Sequence, residues 1–261
     1  MERTRTYFTA DVHIGACDTD RRVREDQFCR WLESVRKDAK AVYLLGDIFD
    51  FWYEWRRTVP SCYTRALGAL ADTVDSGVEV FFFKGNHDMW VYRYFQEEIG
   101  IRVLEQPSVV EIAGKRFCLG HGDGLGKTDL GFRFLRGVFR SRFAQALFSM
   151  LHPSISMKLG TGWAGRTRRK KKDRKYEFRG EGNPLFAFCD EFGKNYRSEH
   201  GGQGIDRYIF GHYHTPGSIA IPSGGTMHIM DDWSNSGANG LVFDEKDISL
   251  QSFSERARVV E

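Results

Sequence analysis

Cysteine is scarce in this chain and poorly placed for staples. There are five, at positions 17, 29, 62, 118 and 189, an odd number with no Cys-x-x-Cys pair. This excludes a secreted disulfide framework and a soft thiolate metal site, and it fits reduced thiols in a cytosol. Cys17 stands near the first motif described below but reads as a small buried residue. No apolar run approaches the ~20 residues that a membrane-spanning helix needs. No leader precedes the strand-like Thr6–Ala10, and candidate chemistry begins at Asp11. The N-terminus is therefore expected to be mature as written, and the location cytoplasmic. There is also no internal repeat, which excludes a solenoid.

What is present fits a globular enzyme-sized chain. With 261 residues, 41% hydrophobic and 28% charged, a substantial core can form without cross-links. The net charge of +3 hides an asymmetry. Residues 127–180 carry 15 Lys and Arg against 3 Asp and Glu, a local +12 that leaves −9 for the rest. A basic segment on an acidic body implies two parts with different partners, anions for one and cations for the other.

Apolar runs of strand length recur at Tyr7–Ala10, Ala41–Leu45, Val78–Phe83, Phe117–Leu119 and Tyr208–Phe210. Between the early ones, Phe28, Trp31, Leu32 and Val35 fall on one helical face, as do Ala66, Leu67, Leu70 and Val74. Alternating strands and helices predict βαβ units around a buried sheet. After Pro107 the texture becomes a hairpin over 109–119, and the C-terminal part reads as short strands with Gly-rich turns. The spacing predicts an α/β (α+β) two-sheet sandwich with flanking helices. Core segments would span 1–125 and 205–261, and a basic, helical cap is expected over 126–204. In that cap Phe132, Leu135, Val138, Phe139, Phe143, Leu147 and Met150 alternate with Arg133, Arg136, Arg140 and Arg142. The run 166–175 holds eight basic residues in ten.

Five motifs sit where the expected strands end: Asp11-Val-His13, Gly46-Asp-Ile-Phe-Asp50, Gly85-Asn-His-Asp88, Gly120-His-Gly-Asp123 and Gly211-His-Tyr-His214. Ligands in open α/β sheets bind at the carboxyl ends of strands, so five such loops converge on one rim. Five of the eight histidines lie inside these motifs. Carboxylate, imidazole and amide oxygen suit manganese, iron, zinc or magnesium. Asp-x-His and His-x-His are expected to place both ligands on one side of an extended segment.

The ordered set resembles the calcineurin-like metallophosphatases over about residues 5–125 and 205–240. The resemblance implies a four-layer βα-βα sandwich. It also implies two divalent ions, Mn2+ foremost. Asp11, His13 and His214 would hold one ion, and Asn86, His121 and His212 the other, with Asp47 bridging them. His87 would face the substrate, where it would stabilise phosphorane charge or protonate the leaving oxygen, with Asp50 or Asp88 orienting it. Asp123 would either support His121 or cap a helix.

His121–Asp129, the Arg/Phe-rich insert and Asp232-Trp233 resemble the UDP-2,3-diacylglucosamine diphosphatases of lipid A synthesis. The Asn86–Trp90 stretch resembles a Bacteroidetes-type branch of that group. The proteobacterial branch has Arg where this chain has His87, a permanent cation replaced by a titratable one. The implied substrate is a nucleotide-linked glycolipid. Asp123, Arg133, Arg136 and Arg140 are the candidates to contact it, and the cap would lie on the inner-membrane surface. A nuclease is the main alternative, but the basic run has no interleaved aromatics for base stacking. A scaffold or membrane-binding module without catalysis would leave the five motifs unexplained.

Overall fold

In the computed structural model, the described residues are 3–16, 21–126, 130–172 and 177–253. Cys17 lies outside them. The first half alternates strand and helix: β1 (Arg5–Thr9), α1 (Arg21–Val35), β2 (Ala39–Leu44), α2 (Thr64–Asp75), β3 (Glu79–Phe83) and β4 (Arg102–Leu104). A hairpin follows, β5 (Ser108–Ile112) and β6 (Lys115–Leu119). Next come four helices, α3 (Leu130–Arg140), α4 (Arg142–Ser149), α5 (Pro153–Lys172) and α6 (Pro184–Glu199). The chain ends with β7 (Arg207–Phe210), β8 (Gly217–Ala220), β9 (Thr226–Ile229), the short α7 (Trp233–Ser236), β10 (Ala238–Phe243) and β11 (Ile248–Phe253).

The strands form two sheets, ordered β11-β10-β1-β2-β3-β4 and β5-β6-β7-β9-β8. β1, β2, β3 and β4 run parallel, as do β6, β7 and β9. Side chains of a strand alternate between faces, and both faces are apolar here. Phe8, Tyr43, Phe81 and Phe83 of the first sheet meet Phe117, Leu119 and Ile209 of the second. Phe8 stacks on Tyr43 at 5.4 Å and on Phe117 at 5.7 Å between ring centroids. Tyr7, Val42, Leu44 and Phe82 face outward to Phe28, Trp31 and Leu32 of α1 and to Ala66 and Leu70 of α2. On the far side, Cys118, Tyr208 and Phe210 pack under Leu185 and Cys189 of α6. The result is a four-layer α/β sandwich with two buried interfaces per sheet.

Within the segment expected as a cap, α6 therefore covers the second sheet, while α3, α4 and α5 lie over the loops that follow the strand ends. Pro184 occupies the first turn of α6, and the Asn183 side chain accepts the Leu185 N–H at 2.9 Å. This pairing of an Asn cap with Pro at the start sets the helix N-terminus. The side chains of α5 from residue 167 onward lie outside the described residues, and with them most of the 166–175 run.

Candidate metal centre

All five motifs follow the ends of parallel strands: β1, β2 and β3 in one sheet, β6 and β7 in the other. The loops continue to bond to one another past the strands. Asp11 N–H donates to Gly46 O, His13 N–H to Asp47 O, Trp52 N–H to His87 O, and Gly211 N–H to His121 O. The rim is thus a hydrogen-bonded extension of the sheets.

Asp11 and His13 do not lie on an extended segment. Both are left-handed, with φ of 52° and 51°, as are Asp47 (52°), His212 (68°) and His214 (51°). Among the described residues, seven non-glycine positions have such a φ, and five of them are these. The conformation costs roughly 1–2 kcal/mol per residue and persists only where surroundings impose it. It is the left-handed backbone, not strand alternation, that turns each ligand pair to one side. The inter-loop bonds and Arg24, which donates to His13 O at 3.2 Å, hold it there.

Side-chain geometry converges on Asp11 and Asp47. Asp11 Oδ1 lies 3.1 Å from His214 Nε2, and Asp11 Oδ2 accepts the His212 N–H at 2.8 Å. Asp47 Oδ1 accepts the His87 N–H at 2.8 Å, and Oδ2 lies 3.4 Å from His121 Nε2 and 3.9 Å from His13 Nε2. Ligand atoms of Asp11, His13 and His214 all lie within 4.8 Å of one another. The same holds for Asp11, Asp47 and His121, and for His13, Asp47 and His87. The His212 ring meets the His121 ring edge-on at 5.1 Å. Six of the seven residues expected as ligands are thereby gathered on one rim, and Asn86 joins them beside His121.

The residues fit a cation. His121 Nδ1 must donate to the carbonyl of Leu45, 2.9 Å away. Its Nε2 therefore turns to two acceptors, Asn86 Oδ1 at 3.3 Å and Asp47 Oδ2 at 3.4 Å. Three lone-pair atoms facing one another require a proton or a metal between them. Burial disfavours charge on His121, yet Asp47, Asp11 and Asp123 outweigh it and push its pKa up to about 10. Against its own burial, Asp47 is held well below the carboxylate range by His121, His87 and His13. Asp11, Asp47, Asp50, Asp88, Asp123 and Asp232 are all buried. Buried carboxylates in such number are sustained by pairing or by metal. Glycine is required at two points. A Cβ on Gly85 would collide with the Asp47 carboxylate, and one on Gly46 would come within 2.8 Å of the His121 ring.

His87 is 9% exposed. Its Nδ1 donates to the backbone carbonyl of Asp50 at 2.8 Å, which leaves Nε2 toward Asp47. Asp50 thus orients His87 through its main chain. Its carboxylate lies farther off, 3.7 Å from His87 and 3.8 Å from His13. Asp88 has a different place. Its oxygens accept N–H groups of Gly85, Asp47, Ile48 and Phe49. It staples the second loop to the third, a role that a four-residue motif does not reveal.

The cap meets this rim through aromatic side chains. Phe51, Tyr53 and Trp90 pack with Phe139, Phe148 and Met157. Trp90 Nε1 donates to Phe139 O at 2.9 Å and Tyr53 OH to Gln145 O at 2.8 Å. The substrate candidates are distributed unevenly. Asp123 and Arg136 are bonded to each other at 2.9 Å, Arg140 is exposed one turn on, and the Arg133 side chain lies outside the described residues. A cavity of about 760 Å³ opens between the 55–63 loop and α5, lined by Gly15, Trp55, Val59, Tyr63, Met157 and Lys158. It starts two residues from His13. The sequence reading missed it because its walls come from segments some 100 residues apart.

Comparison with known proteins gives the family. The family model described as calcineurin-like phosphoesterase matches residues 4–216. UDP-2,3-diacylglucosamine hydrolase of Porphyromonas gingivalis is 35% identical over 238 residues, 88% of this chain and 91% of that protein. The protein of the same name from Stenotrophomonas maltophilia is 29% identical over 249 residues, 92% and 97% of the two chains. Among solved structures, a dimetal phosphatase from Danio rerio aligns with a TM-score of 0.47 at 15% identity, covering 97% of this chain and all of that one. The chain belongs to the calcineurin-like phosphoesterase family.

Proposed function

We propose that this protein hydrolyses the pyrophosphate bond of UDP-2,3-diacylglucosamine, giving UMP and 2,3-diacylglucosamine 1-phosphate for lipid A biosynthesis. The observation that carries the reading is the match to curated relatives of that name over 88% and 92% of this chain. Asp11, His13 and His214 would hold one divalent ion, and Asn86, His121 and His212 the other, with Asp47 between them and manganese as the native metal. When bound, such a pair supplies Lewis acidity and an activated water at neutral pH.

The chain's own residues do the rest. Asp50 fixes the His87 ring so that Nε2 faces the site, placed to stabilise a phosphoryl oxygen as charge builds. A phosphate leaving group departs as an anion without needing a proton. Charge stabilisation is thus the more useful role of the two open to His87.

The cap supports a lipid substrate and a membrane surface. Phe143 and Leu147 on α4, Met150 just after it, and Ile155 and Leu159 on α5 are exposed by 54–80%. Arg142, Lys158 and Arg166 are exposed beside them. No helix among the described residues is long and apolar enough to cross a membrane. Apolar side chains ringed by cations suit a monotopic face on an anionic leaflet, where each basic residue adds about 1 kcal/mol.

The test is a manganese-supplemented assay on detergent-dispersed UDP-2,3-diacylglucosamine, with bis-p-nitrophenyl phosphate in parallel. UMP release is the expected result. Hydrolysis of the artificial diester alone would overturn the substrate and leave a nuclease or nucleotide phosphodiesterase.

A further inference from the structure

Asp232 lies outside all five motifs, 18 residues beyond His214, and is 4% exposed. Its two carboxylate oxygens have separate tasks. Oδ1 accepts the N–H and the hydroxyl of Ser234, at 2.5 and 2.6 Å, and so caps α7. Oδ2 lies 3.2 Å from His214 Nδ1 and 3.8 Å from His13 Nε2. On the other side of the His214 ring, Nε2 meets Asp11 Oδ1 at 3.1 Å. His214 is thus held between two carboxylates, one at each nitrogen.

The next residue fixes the carboxylate's position. The Trp233 N–H donates to Asp11 O at 3.2 Å, its indole N–H donates to Thr9 Oγ1 at 2.9 Å, and its ring packs against Trp31 at 6.0 Å. The Asp232-Trp233 pair is therefore wedged between the first and fifth loops, anchored in the core on one side and aimed at the candidate ligands on the other.

We infer that Asp232 is the positioning residue of the ion held by Asp11, His13 and His214. The inference rests on the two-ion reading given above. By accepting a hydrogen from Nδ1, Asp232 fixes the tautomer in which the His214 Nε2 lone pair faces Asp11 and the cation, and it raises the basicity of that nitrogen. Loss of such a partner ordinarily costs 10–100-fold in metal affinity.

The test separates Asp232's two oxygens. Asn caps a helix as well as Asp does, so Asp232→Asn keeps the α7 cap and removes the anionic acceptor. Wild type, Asp232→Asn and His214→Ala would each be stripped of metal, then titrated with Mn2+ and analysed for bound metal after dialysis, with the unfolding midpoint of each apoprotein measured alongside. The inference predicts 10–100-fold weaker binding of one equivalent in Asp232→Asn, an apoprotein midpoint close to wild type, and loss of the same equivalent in His214→Ala. If His214→Ala loses an equivalent while Asp232→Asn binds as wild type does, the role of Asp232 is overturned and the two-ion reading stands. If His214→Ala keeps both equivalents, the reading and the inference fall together.

Discussion

The guanidinium of Arg136 on α3 lies 2.9 Å from the buried carboxylate of Asp123, two residues beyond His121. Asp123 also accepts Gln106 Nε2 at 2.5 Å, and Gln106 Oε1 accepts the Gly122 N–H at 2.8 Å. One carboxylate therefore ties the cap to the loop that carries a candidate ligand. Arg136 is engaged in that tie instead of standing open to a phosphate.

Removing Arg136 should strand a buried charge. Arg136→Gln is expected to destabilise by about 2–3 kcal/mol, toward the low end for a broken buried pair because the arginine is partly exposed. Asp123→Asn combined with it should recover part of that loss. A double-mutant cycle by urea unfolding gives the coupling, and a value below about 0.5 kcal/mol would exclude the latch.

Asp47→Ala and His87→Ala should part in metal content. The first removes the carboxylate shared by the ligand groups, so both bound ions and turnover should be lost. The second should keep both ions and lower turnover by about 10²–10³-fold, the usual worth of one donor aimed at charge that builds in the transition state. Elemental analysis beside steady-state kinetics decides it; metal loss in His87→Ala would make that residue a ligand.

Asp88→Ala should act on the fold. Four backbone N–H groups would lose their acceptor, at about 1–3 kcal/mol for each left unsatisfied after relaxation. The apoprotein midpoint is expected to fall well below that of His87→Ala measured side by side. Equal midpoints would return Asp88 to the catalytic role that the Asn-His-Asp spacing suggests.

His228 gives a pH signature away from the metal centre. It sits in β9, with Ser218 Oγ at 2.8 Å from Nδ1, and burial together with nearby Arg207 lowers its pKa from 6.5 to about 4. Protonation therefore favours the unfolded chain. Its contribution is complete above pH 6.5 and is lost as pH falls toward 4, by about 3 kcal/mol in all. His228→Gln should flatten the apoprotein stability curve between those limits. Parallel curves for the two proteins would mean that His228 is not the source.

Much of the fold was legible because apolar runs and turns carry it locally. Every strand read from the sequence is a strand, and the two early helices bury the faces that their periodicity marks. The ligand candidates were legible from the order of five motifs. The left-handed turns at Asp11 and His13 were not, because contacts from Gly46, Asp47 and Trp233 impose them. The staple at Asp88, the Asp123–Arg136 tie and Asp232 were hidden for the same reason. Each is defined by a partner 13 to 41 residues away, and spacing within a short motif cannot report that.

The route from β6 to β7 has a further consequence. These strands are parallel neighbours, and such a pair needs a crossover helix on the sheet face to join them. α6 already supplies it, packed on Cys118 and Tyr208. Helices α3 to α5 are therefore a detour in a connection that closes without them. The residues that form the candidate metal centre and the helices that lie over it occupy separable stretches of chain. Such a detour can change in length or sequence while the way the two strands are joined stays the same.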